Sequence, residues 1–209
     1  MNDTAWIATR KGLLSLHEDQ GRWRLTRTAF AGDPVSAVLP PVPGGRMFAA
    51  LNLGHFGTKL HASDDGGERW HELPAPAFPA QPAQAEGEQG AQGAPGTPDT
   101  GPAWKLGMIW ALAAAGPRIW AGTLPGALFS SDDAGESWSL NRSLWDRSER
   151  LEWFGGGFDV PGIHSILPRP DRPDELLLGI SCGGAWASTD NGANWSLRAS
   201  GMRADFMPP

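Results

Sequence analysis

The phrase Ser-x-Asp-x-Gly-x-x-Trp occurs three times in this chain, at residues 63–70 (SDDGGERW), 131–138 (SDDAGESW) and 188–195 (STDNGANW). Each fixed residue is explained by a tight turn. The Asp carboxylate accepts hydrogen bonds from amides of its own turn, and the Ser hydroxyl adds another. Gly tolerates a positive φ. The Trp starts the next strand and buries a large ring beside the turn. The residues carrying this reading are Ser63, Asp65, Gly67 and Trp70, then Ser131, Asp133, Gly135 and Trp138, then Ser188, Asp190, Gly192 and Trp195. A role in every repeat is a structural role, so these turns are expected to stabilise and not to catalyse.

A longer period surrounds the phrase. Residues 47–70, 119–138 and 176–195 each read as strand, hairpin, strand, turn and strand, and residues 5–23 are a fourth copy ending in a damaged turn, Asp19-Gln20-Gly21-Arg22-Trp23. Short strands at 35–39, 108–112 and 163–167 separate the copies. Four strands per unit, lettered A to D in chain order, make one blade of a β-propeller. The expected fold is therefore all-β, a propeller of four-stranded antiparallel blades with about four blades present. The first copy enters at strand B. The reading is one propeller domain over 1–209, an open arc and not a closed four-bladed ring.

Two insertions interrupt the period, both between strand D of one blade and strand A of the next. Residues 74–102 are rich in Pro, Ala, Gly and Gln and are expected to form a disordered loop. Deleting residues 81–100 should leave the melting temperature within a few degrees, because loop length changes closure entropy only slightly. A larger drop in a thermal melt would mean that the loop docks. Residues 143–161 hold Trp145, Trp153, Phe154 and Phe158 around three glycines, and so aromatic a loop is expected to fold against the body.

Composition narrows the function classes. A formal charge of -6 with no basic stripe argues against nucleic acid. No run approaches the roughly 20 apolar residues of a membrane span. The N-terminus has neither a basic nor an apolar leader region, and the one cysteine fits a reducing compartment, so a cytoplasmic location is expected.

Strand direction places the repeated turns on one face of the propeller and the B–C hairpins and D–A loops on the other. The candidate ligand-binding residues fall on that second face: Arg10, His55, Trp153, Asp159, His164, Cys182 and Arg203. His164 begins a strand A, the innermost of its blade, and should lie near the central channel. Asp159 and Asp205 are the weak catalytic candidates, with Asp33 and Glu152 as further carboxylates. No ligand spacing supports a metal site from His55, His164 and Asp159. Residues 155–157 lack the Lys-Ser/Thr of a phosphate loop, and the repeated turns lack the bidentate Glu of a calcium loop. No cofactor is expected. The partner is a small molecule, a glycan or a protein.

The three-fold phrase resembles the Asp-box, or BNR, repeat of sialidase-like β-propellers. The stretches ATRKGL, GDPVSAV, LNLGHFGTKLH, WFGGGFDVPGIHSI, SCGGAW and GMRADFMPP are similar to a bacterial group of BNR-repeat proteins labelled glycosyl hydrolase or exo-α-sialidase. The resemblance implies further repeats beyond these four, hence exposed blade faces at both ends and self-association or a complementing chain. Sialidases use a Tyr nucleophile and an arginine triad. This chain has no tyrosine, and Arg118-Ile119 is followed by Trp120, not Pro. Sialidase activity is therefore disfavoured. The expected function is a non-catalytic propeller that binds on the face opposite the Asp boxes. The alternatives are a glycoside hydrolase of another type and a truncated or split propeller.

Overall fold

Short runs of alternating apolar and polar residues fold into fifteen strands with little helix in the computed structural model, which describes residues 3–42, 44–80 and 104–202. The first sheet holds β1 (Thr4–Thr9), β2 (Gly12–Asp19) and β3 (Arg22–Ala29). The second holds β4 (Val35–Leu39), β5 (Met47–Asn52), β6 (Thr58–Ser63) and β7 (His71–Leu73). The third is β8 (Met108–Ala115), β9 (Arg118–Leu124), β10 (Leu128–Ser131) and β11 (Ser139–Leu140). After α1 (Arg142–Trp145) comes the fourth, β12 (Ile163–Arg169), β13 (Arg172–Ile180), β14 (Gly184–Ser188) and β15 (Ser196–Leu197). In each sheet neighbouring strands pair antiparallel in chain order.

Each sheet is apolar on both faces, so burial happens between sheets. Leu13 with Trp6 meets Val35, Ala49 and Leu51 between the first and second. Phe48, Leu60 and Leu73 meet Ile109, Ala121 and Phe129 between the second and third. Trp120 and Leu128 meet Ile163, Leu178 and Trp186 between the third and fourth. Strands β4, β8 and β12 lie against one another in succession and are the innermost strands. The second strands β5 and β9 touch the innermost strand of the sheet that follows, and β1 touches β4 in the same way. Strand β1 thus occupies the place of a strand B, as its sequence implied. Among the described residues no comparable contact joins β12 back to β1.

The three repeated phrases form one turn. Ser63 Oγ donates to Asp65 Oδ1 at 2.9 Å and accepts the Gly67 amide at 2.8 Å, while Asp65 takes the amides of Glu68 and Arg69. Ser131 and Ser188 repeat both bonds with Asp133 and Gly135, and with Asp190 and Gly192. The two residues after each Asp are left-handed, with φ of 70° and 83°, 57° and 92°, and 58° and 81°. A side chain on the Gly would collide with an aromatic ring of the preceding sheet, namely Trp6, Phe48 or Trp120. The turn therefore closes its own hairpin and seats its glycine on the sheet before it.

These bonds act on charge. The Ser137 hydroxyl, then the Ser137 amide and the Ser131 hydroxyl, hold the Asp133 carboxyl down to about 2. Since the folded value lies below the ordinary 3.8, this stabilisation is complete above 3.8 and is lost as pH falls towards 2. An Asp133→Asn variant should show a shallower acid limb in a series of melts from pH 5 to pH 2, and an unchanged limb would contradict this. At His61 the sign matters equally. Burial pushes its imidazole below 6.5, outweighing the pull of Glu72. Neutral His61 packs edge-on to Phe30 at 5.0 Å, with its Nδ1 unpaired. Its contribution is present above 6.5 and lost as pH falls below it. His61→Leu should flatten the stability profile between pH 7 and pH 5.

Residues 74–80, the start of the segment expected to be a disordered loop, are instead packed. Phe78 lies edge-on to Phe129 at 5.2 Å and against Trp145 at 5.0 Å, and Pro74 O accepts Trp138 Nε1. One aromatic in a Pro/Ala stretch suffices to anchor it. The rest of that segment, 81–102, lies outside the described residues. In the aromatic insertion, Phe154 and Phe158 are about half exposed. Asn141 caps α1 through the Leu144 amide and also donates to Gly192 O, tying the insertion to the third turn. Leu144, Trp145 and Trp153 are buried.

Candidate functional site

Each innermost strand is bulged near its start, at the second residue of β4 and β12 and at the third of β8. The pairing register skips one residue between Val35 and Ala37, between Ile109 and Ala111, and between Ile163 and Ser165. The unpaired residues are Ser36, Trp110 and His164, at one equivalent position in three successive sheets. A bulge turns a side chain out of the strand's ordinary alternation. Ser36 Oγ uses this to donate to Ile109 O at 2.7 Å and so bridges two innermost strands. Trp110 reaches His164, with ring centroids 5.8 Å apart, and takes the edge of Phe158 at 5.1 Å.

The Trp110 ring lies where a side chain on Gly162 would stand, 2.5 Å from its Cε3, so only glycine there admits it. His164 is exposed, and its Nδ1 shares a 2.9 Å hydrogen bond with Ser165 Oγ. Val38, Trp110, Leu112, His164, Ser165 and Leu167 line a shallow concavity of about 340 Å³ before the innermost strands. Two other depressions lie between the first two sheets, lined by Trp6, His17 and Arg27, and beside β7, lined by Lys59 and Glu72.

Of the residues expected from sequence, His164 lies on an innermost strand. Trp153 is buried against Trp186, centroids 5.8 Å apart, and supports the insertion from beneath. Cys182 is exposed in the β13–β14 turn at φ 41°, with its Sγ beside Gly156. Asp159 is exposed, next to Phe158. Arg10, in the β1–β2 turn, and His55, edge-on to Phe56 at 5.9 Å, are exposed on the first and second sheets, apart from the His164 group. Arg203 and Asp205 lie outside the described residues. On the loop face, main-chain bonds tie each D–A loop to its own sheet, from Gly32 N to Lys11 O, Gly107 N to Leu124 O and Ser181 N to Gly162 O.

No protein-family model matches the chain, and no curated protein matches it. Solved structures do. The GH74 xyloglucanase from Xanthomonas campestris aligns with 92% of this chain at a TM-score of 0.56 and 17% identity, over 27% of its own length. YCF48 bound to D1 peptide aligns with 96% of the chain at 0.54 and 17% identity, over 51% of its length. The extracellular domain of a hybrid two component system from B. thetaiotaomicron aligns with 93% at 0.54 and 14% identity, over 20% of its length. The fold is that of a β-propeller. This chain spans from a fifth to about half the length of those structures. At these identities the likeness concerns the fold alone, and the site must be read from its own residues.

On the propeller the ring cluster stands at the inner strands and beside the loop face, while the repeated turns lie at the opposite strand ends. Trp110 and Phe158 offer aromatic surface, and His164 and Ser165 offer adjacent polar atoms. The arrangement can hold a ligand with an apolar face and a hydrogen-bonding edge. Among the described residues no three His, Cys, Asp or Glu side chains are placed to hold a metal, and no helix is long and apolar enough to cross a membrane. Sequence reasoning missed Trp110, Ser36 and the role of Phe158.

Proposed function

We propose that this propeller is a binding module whose ligand sits on the innermost strands at Trp110, His164 and Phe158, on the side away from the repeated turns. The observation that carries the reading is the convergence of those three rings, one from each of two successive bulges and one from the aromatic insertion. A half-buried Trp110 and an exposed Phe158 beside a histidine and a hydroxyl bind without needing a reacting group. Rigid aromatic anchors contribute most of the energy in such contacts. The propellers with matching folds include a xyloglucanase and a protein solved with a peptide, so oligosaccharide and peptide arrays are the two screens to run.

The expected result is a binder on one array that is lost, at least about tenfold, in Trp110→Ala and in Phe158→Ala, since an aromatic hot spot is worth ~2 kcal/mol or more. His164→Ala should weaken the same binder. Binding that survives all three substitutions would overturn the assignment, as would release of reducing sugar from xyloglucan or another glycan by the purified chain.

A further inference from the structure

The floor of the His164 concavity is built as regularly as its rim. Val38, Leu112 and Ile166 each stand two residues past a bulge, opposite Ala49, Ala121 and Leu178 in their sheets. Three equivalent positions on β4, β8 and β12 thus line the concavity with aliphatic side chains. Strand β8 lies against both β4 and β12, so this floor is internal to the sheets present.

Glycines let the rings of the rim lie close to the main chain. Trp110 lies over Gly162 and His164 over Gly179, where a Cβ would stand 2.9 Å from His164 Cε1. Polar side-chain atoms are few. His164 Nδ1 and Ser165 Oγ bond each other at 2.9 Å. No Asp, Glu, Asn, Gln, Arg or Lys is among the described residues that line the concavity.

This lining selects among ligands. A sugar ring carries hydroxyls on several sides, and each one buried here without a partner would weaken binding. An ionised group would lose hydration against an aliphatic floor that offers no opposite charge. A volume of about 340 Å³ stands at the low end of ligand pockets, ~300–1,000 Å³. It suits one apolar side chain with the main-chain amides on either side of it.

We infer, resting on the reading that this concavity binds a ligand, that the ligand is an uncharged peptide segment. One leucine- or phenylalanine-sized side chain sits on Val38, Leu112 and Ile166, and its flanking amides meet His164 and Ser165. The bulges add main-chain groups to meet those amides, because Trp110 and His164 have no partner residue in the pairing register.

Two-dimensional NMR of the full chain tests this through the Trp110 indole N–H and the His164 ring signals. The probes are acetylated and amidated pentapeptides with leucine, serine or aspartate between glycines, together with cellohexaose and decanoate. The leucine peptide should move both signals and saturate, and at the same concentration the other four should not. Val38→Thr keeps the shape of the floor but adds a hydroxyl. It should weaken the leucine peptide about fivefold or more, with both signals of the free protein unmoved. Cellohexaose moving the two signals in place of the leucine peptide would overturn the inference and leave the binding site standing. Equal shifts from the aspartate peptide, tighter binding of decanoate, or an unchanged affinity in Val38→Thr would overturn it too. If no probe moves either signal the inference falls, while the site itself is judged by Trp110→Ala and Phe158→Ala on the arrays.

Discussion

Trp120→Ala is expected to destabilise the chain by about 3–5 kcal/mol, the cost of removing a fully buried large aromatic side chain. Trp120 has 1% of its surface exposed, belongs to the core between the third and fourth sheets and carries the seat of Gly192. Its loss leaves a cavity and removes the surface on which the third turn rests. Trp120→Phe should recover part of the stability, because much of the buried ring is kept and the indole N–H, buried without a partner, is gone, while the Cη2 edge beneath Gly192 is lost. Urea unfolding of the two variants decides this. An alanine variant within about 1 kcal/mol of the native chain would show that the cavity collapses at little cost.

The second large effect comes from the turn serines. Ser63, Ser131 and Ser188 are buried, and each accepts the amide of its turn glycine. Alanine at one of them leaves a buried N–H unpaired, at about 1–3 kcal/mol. The three sites belong to three separate turns, so the triple variant should lose about 3–9 kcal/mol if the costs add. That approaches the whole stability of an ordinary domain, roughly 5–15 kcal/mol. The triple variant is therefore expected to be largely unfolded at 37 °C by circular dichroism. A cooperative melt close to the native one would mean that water replaces the serines.

The fold was legible because its signals are short-range and repeated. Ser, Asp and Gly specify a turn through bonds within a few residues, and three copies fix the period of everything between them. Strands at 35–39, 108–112 and 163–167 followed from that period alone. Even the damaged copy at Asp19 to Trp23 keeps the two left-handed residues of a complete turn. The packing of Phe78 was not legible, since a lone aromatic in a Pro/Ala stretch carries no period.

The site was legible in part. His164 stood out as a histidine at the head of an innermost strand. Trp110 did not, because a tryptophan in an apolar run reads as core. The strands read at 35–39, 108–112 and 163–167 align Ser36 and His164 with Ile109, which left Trp110 one residue out of step. What the residues alone do not announce is the bulge, which frees that position from the strand's alternation. Phe158 reaches Trp110 only because the insertion folds back through α1 and Trp153, a long-range arrangement with no local signal.

Native-state hydrogen exchange tests most directly whether the repeated turn is the staple of this propeller. The amides of Gly67, Gly135 and Gly192 lie in exposed-looking loops by sequence, but each is bonded to a buried serine. They should exchange as slowly as amides of the central strands. In Ser131→Ala the Gly135 amide should speed up by about 5- to 150-fold, the equivalent of ~1–3 kcal/mol, with Gly67 much less affected. Fast exchange of these three glycines in the native chain, or a Gly135 rate unmoved by Ser131→Ala, would contradict the role given to the turn.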